Sequence, residues 1–260
     1  MLKVRVIPTL LWNNVGLVKG VGFDSWRQID TVMPAIKVYN TRDVDELILL
    51  DITATQENRD LDYQTIEEFS SECFVPFTIG GGIQDIEQVR KLLFTGADKF
   101  VINSASYRDP NLISNVARYF GSQCIVASID AKRMGNGKYE CFSHSGKKPT
   151  GKEPREWAKE LEEMGAGEIL ITSIEKDGTM EGYDIELIRQ ITDNVKIPVI
   201  ASGGARDYED MLKALKFGKC SAVAAASIFC FTERTPTEAK RFLSGKGVPV
   251  RNVNTNNMKF

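Results

Sequence analysis

The chain carries a single histidine, His144, so a Ser-His-Asp triad or a multi-histidine metal centre has little to draw on, and the default expectation for His144 is the surface. Cysteine is also sparse. Cys73, Cys124, Cys141, Cys220 and Cys230 are odd in number and lack CxxC spacing, and several fall in apolar strand-like runs. They read as reduced, buried thiols rather than metal ligands or a nucleophile, and no metal or cofactor site is expected. No apolar run approaches the ~20 residues of a membrane span. The opening MLKVRVIPTLLW enters a strand at once without a signal-peptide pattern, so the expected location is cytoplasmic. No excess of one charge exists either: 33 basic against 35 acidic residues leave a net charge of −2, which points to neither nucleic acid nor a membrane as partner. Affinity for a phosphorylated small molecule would have to come from local sites.

What is present is a repeat. Residues 76–106 read PFTIGGGIQDIEQVRKLLFTGADKFVINSAS, and 122 positions later residues 198–228 read PVIASGGARDYEDMLKALKFGKCSAVAAASI. Nine of 31 aligned positions are identical, where composition alone gives roughly two. Each copy runs from an apolar strand through paired glycines (Gly81 and Gly82; Gly203 and Gly204) and an Asp to an amphipathic stretch, a Gly and a second strand. Asp85 with Gln88 forms a candidate capping box, and Gly96 and Gly218 fall where a helix closes on a left-handed residue. Glycines between a strand end and a helix start allow close backbone approach to an anion. Either loop alone reads as a plain turn, but two copies half a chain apart suggest two anion sites.

Eight strand-like runs can be counted, at 4–12, 46–52, 77–83, 99–105, 124–131, 167–174, 198–205 and 222–229. They are mostly continuous apolar runs, as expected of strands covered on both faces. Helical patterns such as Ile86–Phe94, Leu112–Phe120, Trp157–Met164 and Ile185–Ile191 lie between most of them. At 260 residues, this alternation with a halfway repeat predicts a single (βα)8 barrel of two similar halves over residues 1–246, followed by a frayed polar tail at 247–260. Residues 13–30 and 132–152 are inserts on the strand-end face, where barrel active sites are built. The second is basic and Gly-rich, and reads either as a mobile anion-binding flap or as a solvated hairpin.

Strand ends carry Asp51, Asn103, Asp130, Thr172, Asp177 and Ser202. A carboxylate closing an apolar run must be hydrogen-bonded, so Asp51 and Asp130 are structural anchors or general acid/base groups. Asp51 leaves both readings open; the basic loop after Asp130 favours catalysis. At the opposite face Arg5, Glu46, Lys99 and Glu168 stand at or near strand starts, either as solvated charges or as a ring of alternating sign able to gate a small molecule.

In combination, RVIP, LVKG, DELILLDITA, PFTIGGGI, GADK, INSA, GSQCIVASIDAKR, SGKK, GAGEILITSI, KDGT, GYD and PVIASGGA make the chain resemble the cyclase subunit of imidazole glycerol phosphate synthase over nearly its full length. The resemblance implies a barrel that receives ammonia from a glutaminase docked on its strand-start face, forming a heterodimer within a glutamine amidotransferase complex. At the strand-end face such a barrel splits and cyclises a bisphosphorylated ribulosyl intermediate. It further implies Arg5, Glu46, Lys99 and Glu168 as gate residues, Asp98 as an interface residue and Asp130 as one of two catalytic aspartates. The candidate phosphate residues are Gly81, Gly82, Asn103 and Ser104, with Asp177, Gly178, Gly203, Gly204, Ala226 and Ser227. Lys19, Asp51, Thr172 and Ser202 complete the expected site. One departure stands out: the half-barrel counterpart of Asp130 is Leu11, which cannot move a proton. With that departure, the resemblance implies a divergent paralogue that supplies ammonia for amidation of a surface-glycan sugar, alongside a sugar amidotransferase. The alternatives are a competent histidine-pathway cyclase and an ammonia-conducting scaffold without chemistry.

Overall fold

The computed structural model describes residues 3–251. Eight parallel strands close on themselves: β1 (Arg5–Trp12), β2 (Leu47–Asp51), β3 (Phe77–Gly80), β4 (Lys99–Ile102), β5 (Ile125–Arg133), β6 (Glu168–Ser173), β7 (Val199–Ser202) and β8 (Ala222–Ala225). Each pairs with the next, and β8 returns to β1 with Arg5 opposite Ala222. The chain is therefore a single (βα)8 barrel.

Local chemistry places the helices. Asp62, Asp85, Asp184 and Asp207 each end a loop and accept a backbone N–H from the first turn that follows, and Thr235 with Glu238 forms a reciprocal capping box for Pro236–Gly245. The Gln88 side chain accepts from the N–H of Gln84 rather than from that of Asp85, so the box expected there is only half made. The helix Val32–Thr41 has no counterpart in the sequence reading. Its Pro34 masks it, yet a proline in the first turn removes only an N–H that has no helical partner.

The two halves differ by one residue after the repeated helix. Gly96 is left-handed at φ +92°, but in the second copy Lys219 takes that conformation at φ +58° and Gly218 does not. Gly218 is required for another reason, since a Cβ there would lie 2.4 Å from the Ala214 carbonyl oxygen. Beyond this point the halves correspond at an offset of one more residue: Asn103 and Ala226 are the residues that start the short helices after β4 and β8.

Side chains alternate along each strand. One set, including Val6, Leu10, Leu49, Phe100 and Ile169, faces the helices. The other fills the barrel with Ile7, Ile48, Val101, Val126, Leu170, Ile200, Ala222 and Ala224. A buried clasp joins the last helix to the first strands. The Lys240 Nζ lies 2.9 Å from Asp45 Oδ1 and 2.9 Å from the Asp43 carbonyl oxygen, and Asp45 Oδ2 accepts from the N–H of Val6 at 3.0 Å. The stretch expected to fray from 247 is docked as far as it is described: Val250 is buried and bridges Val4 in parallel register. The remainder of that tail lies outside the described residues.

Candidate active site

Strand register fixes the position of Leu11. Leu11 pairs with Leu50, and Asp130 pairs with Thr172; Leu50 and Thr172 are themselves 122 residues apart. Leu11 and Asp130 are therefore equivalent positions of the two halves, and both face one pocket at the strand ends. Leu11, Asp51, Gly81, Gly82, Asn103, Ser104, Asp130, Thr172, Asp177, Gly178, Ser202, Gly203, Gly204, Ala226 and Ser227 all line it. Lys19 does not. It is buried behind the wall, with Nζ donating to the Thr9 carbonyl at 3.3 Å.

The first half gives the mouth Leu11, Leu50, Ile52, Phe23 and Trp26 beside the ion-paired Asp51; the second half gives Met180, Asp130 and Asp177. Burial pushes the Asp130 carboxyl up to about 7, and the nearby charge of Asp177 adds to this against hydrogen bonds from Ser128 and Asn103. The Asn103 bond is Nδ2 to Asp130 Oδ2 at 2.8 Å. Asp177 is raised by burial to about 6, with Lys19 opposing, while burial lowers the Lys19 ammonium. Two carboxyl groups thus change charge near neutral pH in one pocket, a pattern concentrated at functional sites. Asp51 is organised as an anchor: it accepts from the N–H groups of Thr53 and Ala54 at 3.0 Å and from Arg59 at 2.8 Å.

Each glycine pair brings the loop onto the neighbouring strand. At Gly81, φ is +90° and a Cβ would lie 1.9 Å from the Asp51 carbonyl oxygen; at Gly203, φ is again +90° and a Cβ would meet the Ser173 oxygen at 2.8 Å. Only glycine fits either place. The N–H of Gly82 donates to Thr55 Oγ1 at 3.2 Å, so that donor is already engaged.

Both inserts are antiparallel excursions rather than loose loops. Leu17–Val21 and Asp24–Asp30 form one hairpin, and Tyr139–Ser143 folds back along the end of β5. Their tips meet over the pocket. A Cβ on Gly146 would lie 3.0 Å from the Phe23 ring, the Ser145 hydroxyl donates to the Ile52 carbonyl at 2.8 Å, and Lys147 stands 4.0 Å from Asp24. His144, expected on the surface, is half-buried in this flap; its N–H donates to Ser104 Oγ at 2.9 Å, and burial with the charges of Lys148 and Arg108 lowers its pKa. The space beneath is about 130 Å³ and partly open to solvent, against the ~300–1,000 Å³ of ordinary ligand pockets.

At the strand-start face Arg5, Glu46, Lys99 and Glu168 form a closed ring. Arg5 reaches Glu46 at 2.6 Å and Glu168 at 3.0 Å; Lys99 reaches Glu46 at 2.9 Å and Glu168 at 3.0 Å. Thr78 donates to the remaining Glu46 oxygen at 2.7 Å. Burial works against the Glu46 charge, but Lys99 and Arg5 outweigh it and hold the carboxyl below its ordinary value. Asp98 is exposed beside the ring, and its Oδ2 accepts from the N–H of Phe77 at 2.8 Å, so it also closes the start of β3. Around this face Phe74, Phe94, Tyr119 and Phe217 are 79%, 83%, 64% and 63% exposed.

Sequence reasoning missed Thr9, Ser128, Phe23, Trp26 and Arg59. Thr9 and Ser128 were within reach, since they alternate inward two residues before Leu11 and Asp130. Arg59 and the hairpin aromatics are brought in by loops, which carry no periodic signal. Among the described residues no cluster of three or more His, Cys, Asp or Glu side chains is arranged for a metal ion, and no helix is long and apolar enough to cross a membrane. A family model described as histidine biosynthesis protein matches residues 5–235.

Proposed function

The chain belongs to the histidine biosynthesis protein family, and from that premise we propose that it is a barrel of the imidazole glycerol phosphate synthase cyclase type, supplied with ammonia by a glutaminase and diverged toward amidation of a surface-glycan sugar. The observation that carries the reading is a contrast. The ring of Arg5, Glu46, Lys99 and Glu168 is complete, and both glycine loops are in place, but Leu11 stands where the half-barrel partner of Asp130 would be a second acid.

In this reading the glutaminase covers the strand-start face, where the exposed aromatics and Asp98 surround the ring. Ammonia passes the ring and the aliphatic barrel interior, and a phosphorylated acceptor is held at the strand ends by the loops at Gly81–Gly82 and Gly203–Gly204. Asp130, titrating near neutrality, exchanges the proton. A sugar amidotransferase would be a further partner.

A histidine-pathway cyclase is the second reading, favoured by Asp177, which puts another titrating carboxyl into the pocket. The test is turnover of the ribulosyl bisphosphate with free ammonium. The proposal expects a rate ~10²–10⁴ below that of a two-aspartate enzyme, and a gain in Leu11→Asp. Wild-type turnover at the full rate would establish the second reading instead.

A further inference from the structure

The barrel interior above the ion ring is aliphatic, and Thr78, low in the barrel, already gives its hydroxyl to Glu46 at 2.7 Å. On β1 the inward side chains are Arg5, Ile7, Thr9 and Leu11, so Thr9 is the first polar group of that strand above the aliphatic layer. It is 7% exposed and lines the pocket, and its Oγ1 is buried without a hydrogen-bond partner. Its half-barrel counterpart Ser128 is 5% exposed and lies close enough to Asp130 to lower the pKa of that carboxyl. A second orphan lies nearby: Asn103 Oδ1 is buried and unpartnered, while Nδ2 of the same amide holds Asp130.

An unpaired buried hydroxyl is costly, and valine would fill the same volume without that penalty. Thr9 therefore implies a ligand small enough to reach a floor of aliphatic side chains and able to bond a hydroxyl that both donates and accepts. Neutral ammonia has this character, with three donors and one acceptor. We propose that the Thr9 hydroxyl is the receiving station for ammonia where the barrel interior opens into the pocket, with Asn103 Oδ1 the next acceptor beside Asp130. Thr9 acts here as a positioning residue and takes no proton. The inference rests on the ammonia-supplied reading above.

The test uses the full chain with ammonium chloride at alkaline pH, followed through the backbone resonances of Thr9, Asn103 and Ser128, with sodium chloride at equal ionic strength as control. Saturable shifts with ammonium alone are expected. Thr9→Val should raise the midpoint roughly three- to tenfold, the worth of one neutral hydrogen bond. Thr9→Ser should restore it, which a merely structural role would not do. No saturable shift in the wild type, identical shifts with sodium chloride, or an unchanged midpoint in Thr9→Val would each overturn the assignment. Should Thr9→Val fail to fold, the wild-type titration and Thr9→Ala decide. Glutaminase co-purification is scored separately: its loss counts against the ammonia-delivery reading, whereas an unchanged Thr9→Val midpoint counts against this station alone.

Discussion

Replacing Lys240 by Met should be among the most damaging single changes outside the pocket. Lys240 and Asp45 are each 1% exposed, and the ammonium is the only cation within hydrogen-bonding reach of Asp45 Oδ1, at 2.9 Å, among the described residues. Methionine keeps the length and apolar stem of the side chain, so little packing is lost. What remains is a carboxylate buried without its countercharge, and the bond to the Asp43 carbonyl is lost as well. Breaking a buried pair from one side costs ~3–5 kcal/mol. For a domain of this size each kcal/mol lowers Tm by about 2–4 °C, so the expected fall is roughly 6–20 °C. Adding Asp45→Asn should recover most of it, because the amide oxygen can still accept from the Val6 N–H at the present 3.0 Å while the buried charge disappears. Thermal unfolding of wild type, both single variants and the double variant forms the cycle. A double variant no more stable than Lys240→Met would refute the reasoning, since the cost would then lie in packing.

Asp130→Asn should stabilise the protein at pH 8 by roughly 1–3 kcal/mol and much less at pH 4.5. With the folded carboxyl raised to about 7 by burial and by Asp177, wild-type stability falls as pH rises from the ordinary carboxyl value to about 7, then levels; urea midpoints at the two pH values check the sign. Gly81→Ala should cost at least ~2 kcal/mol, because its Cβ would fall 1.9 Å from the Asp51 oxygen at a left-handed φ; a normal melting curve would contradict that contact. Arg5→Met should cost about 2–4 kcal/mol in chemical denaturation, and Glu168→Gln on that background should return part of it, as two carboxylates otherwise share Lys99 alone. Asp98→Asn retains an acceptor for the Phe77 N–H and removes only the charge, so it should leave Tm unchanged while weakening co-purification with a glutaminase; intact assembly would take Asp98 out of the proposed interface.

The barrel was legible because its strands are continuous apolar runs and because the chain states one βαβ unit twice. Seven of the eight strand-like runs contain their barrel strand whole, β5 runs two residues past the predicted end at 131, and Ile86–Phe94 is a helix with the ends expected of it. The glycine pairs and the strand-end residues were legible for the same reason: period and symmetry place them at one mouth. Reading failed where geometry depends on neighbours. Gly218 and Lys219 exchange roles through a single extra residue, which an ungapped repeat conceals. Asp51 left two readings open until Arg59 was found against it, eight residues away across a loop of no regular period. The meeting of the two inserts depends on hairpin twist and on the flap turn at Gly146, neither of which is written in composition.

The bridge between Val4 and Val250 has a consequence for how the chain could be joined to another. Both residues lie on the side of the barrel where Arg5 begins β1, beside the ion ring. A polypeptide joined by a short flexible linker at Val4 or at Val250 would be tethered beside that same face, at an effective concentration in the millimolar range. A partner too weakly bound to be retained from dilute solution would then be held there by connectivity alone.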